Sequence, residues 1–163
     1  MNKQEVYEYL NRRGIRYEIT EHRAVYNMEE ASGLILPHPE AEAKNLFVRD
    51  DKKQNYYLIT VKGNKRVDLK EFRRKQHTRP LSFASADDLA SLLGLIPGAV
   101  TPLGLLNDEG RRVQFFPDEA FREAPGLIGV HPNDNTATIW LAFHDLVRVI
   151  EEHGNPIRPV RIG

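Results

Sequence analysis

Residues 94–108 read GLIPGAVTPLGLLND, an apolar stretch whose main chain is suited to hold an oxygen atom. Glycines at 94, 98 and 104 and prolines at 97 and 102 interrupt it. Glycine lets a ligand approach the backbone closely, and proline stiffens a loop. Backbone N–H groups in such a loop can bind an oxyanion or a water molecule without a polar side chain. A plain turn hardly needs so many of these residues, so we expect a ligand-binding loop.

Two further features could carry chemistry. Lys44 begins the strand-like run AKNLFVR, and His131 and Asn133 lie between two strand-like runs in GVHPNDNTATIW. The structural alternatives are a surface lysine at a strand edge and ordinary turn-forming side chains. Residue types alone leave both interpretations open.

Other kinds of catalytic site lack their sequence signals. The chain has no G-x-S-x-G, Walker, H-E-x-x-H or G-x-G-x-x-G motif. It has no cysteine, which excludes thiol catalysis and a cysteine-ligated zinc, and its six histidines show no metal-ligand spacing. We therefore expect no metal and no cofactor.

The elements that must position these residues alternate irregularly along the chain. The patterns predict helices over 3–13, 28–34, 68–75, 85–93 and 145–152, strands over 16–20, 127–130 and 136–142, and hairpins from 43–49 with 56–61 and from 103–106 with 113–116. Ser85 and Asp88 have capping-box spacing, and Gly94 stands where a helix would end. This order predicts an α+β fold, with a mixed β-sheet and helices packed on it.

Length and composition favour a single domain over residues 1–163. No apolar run approaches the roughly 20 residues that span a bilayer, and the first residues are charged, unlike a signal peptide. We expect a cytoplasmic protein with no membrane partner.

A net charge of zero hides a basic segment at residues 62–79. Residues 1–80 have 17 Lys and Arg against 12 Asp and Glu, and the segment itself has eight against two. Such a segment is either an ordinary solvated helix with its flanks or a surface that faces phosphates.

Several blocks of the sequence together resemble the YbaK/ProX superfamily of aminoacyl-tRNA editing domains, also called the prolyl-tRNA synthetase insertion-domain family. They occur in the family's order, from about residue 3 to residue 153. The blocks are AVYNMEEA, KNLFVRD, VDLK, LSFAS, GLIPGAVTPLGLLND and HPNDNTAT. The segments PGAVTPLGL and HPN are most similar to those of the freestanding alanyl-tRNA(Pro) deacylases of this superfamily.

The resemblance implies a curved, mixed β-sheet surrounded by helices and a deacylase that acts on mischarged Ala-tRNA(Pro). It places the family's lysine on Lys44 and the family's G-x-x-x-P loop on Gly98, Ala99, Val100, Thr101 and Pro102. His131 corresponds to the pocket histidine. Asn45 and Asn133 join the expected substrate-binding residues. Asn27 stands where relatives commonly have threonine, a departure that affects the amino-acid preference.

These correspondences define the expected site. Lys44 and the backbone of residues 98–101 would be catalytic, and Asn27, Asn45, Pro102, His131 and Asn133 would bind the substrate. Lys70, Arg73 and Arg74 would bind tRNA phosphates. We expect aminoacyl-tRNA as the partner, with a transient contact to prolyl-tRNA synthetase and no DNA. The alternatives are deacylation of Cys-tRNA(Pro), Ser-tRNA or Thr-tRNA, or a noncatalytic tRNA-binding module.

Overall fold

The computed structural model describes residues 1–24, 36–63 and 65–163. Its helices are α1 (Lys3–Arg12), α2 (Leu69–Gln76), α3 (Ala86–Leu93) and α4 (Phe143–His153). Its strands are β1 (Tyr17–Glu21), β2 (Ala43–Asp50), β3 (Tyr56–Lys62), β4 (Leu81–Phe83), β5 (Val113–Pro117), β6 (Leu127–Val130) and β7 (Ala137–Ala142). Short 3-10 helices cover Pro39–Ala41, Pro102–Asn107 and Glu119–Arg122. The predicted helix at 28–34 lies outside the described residues.

The strands form two sheets. One has the order β4-β2-β3-β5, in which β2 is antiparallel to β3 and β4 while β5 is parallel to β3. The other is antiparallel, with the order β1-β7-β6. The predicted α+β class with a mixed sheet is confirmed, and so are the hairpin of β2 with β3 and the last two strands. Among the described residues, no helix has the length and apolar composition needed to cross a membrane.

The predicted hairpin of residues 103–106 with 113–116 is wrong. Residues 102–107 form a 3-10 helix, and β5 pairs with β3 instead. The helix begins at Thr101, whose Oγ1 accepts a hydrogen bond from the N–H of Leu103 at 3.4 Å. Pro102 follows at the first helical position, where its missing N–H costs nothing, whereas a central strand would lose a ladder hydrogen bond there.

The four-stranded sheet has two differently covered faces, because successive strand residues point to opposite sides. Val48, Ile59 and Phe116 pack with Phe72 of α2, and we call this side the α2 face. The opposite side, with residues such as Phe47, packs against α3, α4, the three-stranded sheet and the 94–108 segment. We call it the loop face. Only the β2 side chains that point to the loop face can therefore form a site together with the loop.

The helix ends agree with the sequence signals. The Ser85 hydroxyl accepts from the N–H of Asp88 at 3.0 Å, and the Asp68 carboxylate caps α2. Gly94 ends α3 in the left-handed conformation, with φ 63°. Because glycine has no Cβ, it takes this conformation without strain, and the chain can turn directly into the glycine- and proline-rich loop.

Candidate active site

The loop of residues 94–102 is fastened at its start. The Asn107 side-chain amide donates to the carbonyl oxygen of Leu93 at 2.7 Å, and a Cβ on Gly104 would lie 2.5 Å from Leu95 Cδ1. Close packing at Gly104 thus holds the 3-10 helix against the loop. Gly98 has φ 90°, a conformation that strains other residues, and the N–H of Ala99 donates to Ile96 O at 3.1 Å.

Two consecutive side-chain hydrogen bonds join the loop to β2 and β3. The Asn45 side-chain amide donates to Val100 O at 3.3 Å, and the Thr60 hydroxyl donates to Asn45 Oδ1 at 2.6 Å. Thr60 is fully buried and lies opposite Asn45 in the antiparallel ladder. Because the Asn45 amide is held at both ends, it fixes the position of the Val100 carbonyl relative to the sheet.

A second hydrogen bond joins the loop to the connection between β6 and β7. The buried Thr101 hydroxyl donates to the backbone carbonyl of His131 at 2.7 Å. The Thr101 side chain therefore links the loop to the connection between β6 and β7. The structure thus brings Asn45, Val100, Thr101 and His131 together on the loop face.

His131 is held as a neutral acceptor. Its Nδ1 lies 2.9 Å from Ala137 O, so Nδ1 carries the proton and Nε2 keeps its lone pair. Burial lowers the pKa of His131; the Ala137 carbonyl opposes this shift, while nearby His22 adds to it. The His22 ring lies 6.1 Å away, centroid to centroid.

His22 is a residue that sequence reasoning missed. Its Nδ1 lies 2.8 Å from Arg23 O and its Nε2 lies 2.9 Å from the Thr138 hydroxyl. The imidazole packs against the His131 ring from the end of β1, 109 residues earlier in the chain. No local motif marks such a pair, because only the pairing of β1 with β7 brings the two rings together.

The main-chain donors of the loop differ in availability. The N–H of Ala99 is already hydrogen-bonded to Ile96 O. Within the described part of the chain, no protein acceptor receives the N–H groups of Gly98, Val100 or Thr101. Gly98 and Val100 are partly exposed, so their N–H groups can bind a ligand oxygen, whereas Thr101 is fully buried.

Lys44 lies on the other side of the sheet. It pairs with Val61, shares the α2 face with Val48, and donates from Nζ to Lys65 O at 3.2 Å. Its described contacts are therefore not with the loop, although its neighbour Asn45 is bonded to Val100. The ammonium can reach a group that approaches the first residues of β2 from the α2 face.

The remaining predicted residues are dispersed. Asn133 has φ 60° and donates from Nδ2 to Met1 O at 3.0 Å, and its buried Oδ1 has no partner among the described residues. Pro102 is buried. Asn27 lies outside the described residues.

The three predicted tRNA-binding cations lie together on α2. Lys70, Arg73 and Arg74, with His77 and Thr78, line a shallow cavity of about 420 Å³. Arg74 lies 3.9 Å from Glu71, so its charge is partly matched locally. The prediction that these three cations share one helix is confirmed. However, α2 covers the sheet face opposite the loop.

Comparison with known proteins decides the family. The family model for the aminoacyl-tRNA editing domain matches residues 22–149. The chain belongs to the aminoacyl-tRNA editing domain family. That membership confirms the prediction from the sequence blocks, and with it an enzyme that deacylates aminoacyl-tRNA.

Two curated relatives are similar over most of their length. The prolyl-tRNA editing protein ProX of Acetoanaerobium sticklandii is 36% identical over 160 residues, 98% of this chain and 97% of that protein. The mouse prolyl-tRNA synthetase associated domain-containing protein 1 is 34% identical over 148 residues, 86% of this chain and 85% of that protein. A solved structure of a proposed trans-editing enzyme for prolyl tRNA synthetase shares the fold of this editing domain. It has a TM-score of 0.72 at 22% identity and covers 99% of this chain and 97% of its own.

Proposed function

We propose that this editing domain hydrolyses the ester between alanine and tRNA(Pro), acting in trans. The observation that carries the proposal is the loop, which is bonded through Val100 O to Asn45 and through the Thr101 hydroxyl to the main-chain carbonyl of His131, and whose N–H groups at Gly98 and Val100 have no protein acceptor in the described part of the chain. The similarity to a prolyl-tRNA editing protein over nearly the whole chain supports tRNA(Pro) as the nucleic acid.

Alanine is the amino acid that such a correction step needs to remove. A synthetase pocket built for proline cannot reject a smaller side chain by more than roughly 1–3 kcal/mol per methylene. A second site that admits alanine but excludes the proline ring by overlap can then hydrolyse the error. The main chain of Gly98 to Thr101, stiffened by the prolines on either side, forms one wall of this small pocket.

The reaction requires little beyond positioning, because the aminoacyl ester is already activated. The N–H groups of Gly98 and Val100 bind the ester carbonyl oxygen as it becomes negative. A water molecule attacks the carbonyl carbon, and the bond to the ribose oxygen breaks. The neighbouring ribose hydroxyl passes its proton to that oxygen and takes up the proton released by the attacking water, which leaves alanine and free tRNA.

His131 and Lys44 bind different parts of the substrate. The Nε2 lone pair of neutral His131 accepts a hydrogen bond from the ammonium group of alanine. The Lys44 ammonium, on the α2 face at the start of β2, binds a phosphate of the terminal nucleotides. The contact of Lys44 Nζ with Lys65 O fits a phosphate-binding role better than it fits a direct contact with the ester.

The substrate is tested by charging tRNA(Pro) separately with Ala, Cys, Ser and Pro and measuring deacylation of each. We expect rapid loss of Ala and survival of Pro, with the first-order rate proportional to enzyme concentration. If Ala-tRNA(Pro) survives while Cys- or Ser-tRNA(Pro) is cleaved, the substrate assignment is wrong and a related editing activity replaces it. A protein that binds every form and hydrolyses none is a noncatalytic module.

Lys44→Ala tests the assigned phosphate contact. We expect a higher KM for Ala-tRNA(Pro) and a smaller change in kcat, because the ammonium binds the ground state and the transition state alike. Lys52→Ala is the matched control, since Lys52 is exposed on the turn between β2 and β3. Unchanged kinetics in Lys44→Ala would remove Lys44 from the site.

A further inference from the structure

Phe83 is an exposed aromatic side chain that the proposed function leaves unused. It is 62% exposed, more than any other large hydrophobic residue in the described part of the chain. It belongs to β4, a strand of three residues at the edge of the four-stranded sheet, where it pairs with Val48 of β2. A solvent-facing phenyl ring at a sheet edge contributes little to the core.

The strand β4 is where the chain passes from one face of the sheet to the other. It connects α2, whose Phe72 packs on the α2 face, to α3, whose Leu89 packs on the loop face. The N–H of Ala84 donates to Phe47 O at 3.0 Å, which fixes the crossing against β2. Phe83 therefore lies at this edge, and its pairing with Val48 puts its side chain on the α2 face, beside the cations of α2.

An RNA strand that contacts both faces can pass over this edge. Its phosphates would be bound by the cations of α2, while its 3′ ester would lie in the loop on the opposite face. Val48, the residue of β2 that pairs with Phe83, lies three residues from Asn45, a distance of about 10 Å along β2. That span suits one or two nucleotides in an extended single strand, and the 3′ end of a tRNA is unpaired.

We propose that Phe83 stacks with an unpaired base near the 3′ end of the tRNA as the strand crosses from the α2 face to the loop. The inference rests on the proposed action on tRNA. An aromatic ring beside a cationic surface is the usual platform for single-stranded nucleic acid, because every base offers a π face. A base inside a duplex is already stacked, so Phe83 selects the unpaired segment.

A second copy of this chain is the competing occupant, but the surroundings favour RNA. A strand of three residues offers few unpaired backbone groups to another strand. The neighbouring helix has Arg73, Arg74 and Lys75 in its last turn, so two copies that met at this edge would bring like charges together. The negative phosphates of RNA complement the same charges.

The test compares two uncharged RNA minihelices of the same stem, one blunt and one with an unpaired 3′ extension of four nucleotides. We expect Phe83→Ala to weaken binding of the extended minihelix by about five- to 150-fold and to leave the blunt one unchanged. Ile19→Ala is the control, because Ile19 is another exposed hydrophobic residue, on the other sheet. Equal affinity of wild type and Phe83→Ala for the extended minihelix would overturn the proposal, and so would an equal loss for both minihelices.

Phe83→Trp supplies an independent measurement in a variant that keeps an aromatic ring. The natural Trp140 is buried, so the introduced indole is the exposed fluorophore. We expect quenching by the extended minihelix and not by the blunt one, with affinity preserved. Sedimentation velocity of wild type and Phe83→Ala identifies a dimer interface, and a change from dimer to monomer would overturn the proposal.

These measurements use uncharged RNA, so they do not depend on hydrolysis. A protein that cleaves no aminoacyl ester but shows the Phe83 difference refutes the proposed reaction and retains the stacking site. A protein that cleaves Ala-tRNA(Pro) with no Phe83 difference does the reverse.

Discussion

Burial and one backbone hydrogen bond decide how His131 can act. Burial lowers the pKa of its imidazole, and the Ala137 carbonyl holds the proton on Nδ1. A neutral ring with a lone pair on Nε2 can accept a hydrogen bond but carries no charge that would repel a substrate ammonium. Protonation would reverse both properties.

The lowered pKa makes a testable prediction for stability. Below the ordinary imidazole pKa of 6.5, the unfolded chain takes up a proton at His131 before the folded chain does. The free energy of unfolding therefore falls as the pH drops from 6.5 through the folded-state pKa. We expect urea unfolding to show a smaller loss of stability between about pH 7.5 and about pH 5.5 in His131→Gln than in wild type.

The control for this comparison is His144→Gln, because the His144 side chain is 81% exposed. Wild-type behaviour in His144→Gln combined with a reduced pH dependence in His131→Gln supports the prediction. An identical pH dependence in wild type and His131→Gln would contradict it.

The sequence named candidate site residues but could not predict which face of the sheet the loop covers. Alternation along β2 requires Lys44 and Asn45 to point to opposite faces, and this follows from the sequence alone. Which face receives the loop depends on where α2 and α3 pack, and this is a long-range outcome. His22 carried no local signal for the same reason, since it reaches His131 only through the sheet.

At the scale of elements, Gly129 shows how one strand accommodates its neighbour. It lies opposite Trp140 in the pair of β6 with β7, and a Cβ at position 129 would be 2.4 Å from Trp140 Cζ3. The indole cannot easily move away, because its Nε1 donates to Thr20 Oγ1 at 2.9 Å and its ring packs against His38. We expect Gly129→Ala to lower the free energy of unfolding by about 1–3 kcal/mol.

Gly110→Ala is the matched substitution for this measurement. A Cβ at Gly110 would meet Arg112 Cγ at an ordinary 3.4 Å, so we expect a change within about 0.5 kcal/mol. Chemical unfolding of both variants provides the comparison. Equal stability of the two would show that the β6–β7 pair tolerates the methyl group.

Elements with local signals were predicted well, and elements that depend on distant partners were not. Ser85 and Gly94 mark the ends of α3 by their own chemistry. The run Leu103–Leu106 is apolar and short, so its pattern does not distinguish a strand from a buried helical turn. The parallel pairing of β5 with β3 joins segments more than 50 residues apart, and no turn motif connects them.

At the scale of the whole molecule, the cations of α2 and the glycine- and proline-rich loop lie on opposite faces of the four-stranded sheet. This separation sets the expected path of the RNA. Residues 62–79 hold eight Lys and Arg and two Asp and Glu, so the zero net charge of the chain conceals a local cationic surface. The sequence predicted this surface but could not predict that α2 covers the face opposite the loop. On the proposed path the substrate contacts both faces, so phosphate contacts on α2 should contribute to affinity without taking part in hydrolysis.

Salt dependence of tRNA binding tests this division of roles. Each phosphate neutralised by a cation releases counterions, so the logarithm of the association constant falls linearly with the logarithm of salt concentration. We expect Arg73→Gln to reduce the magnitude of this slope by about one, with weaker binding and little change in kcat at saturating substrate. Arg12→Gln on α1 removes an exposed guanidinium elsewhere and should keep the wild-type slope. A slope unchanged by Arg73→Gln would place the phosphates elsewhere, and a fall in kcat at saturation would place Arg73 in the chemistry instead.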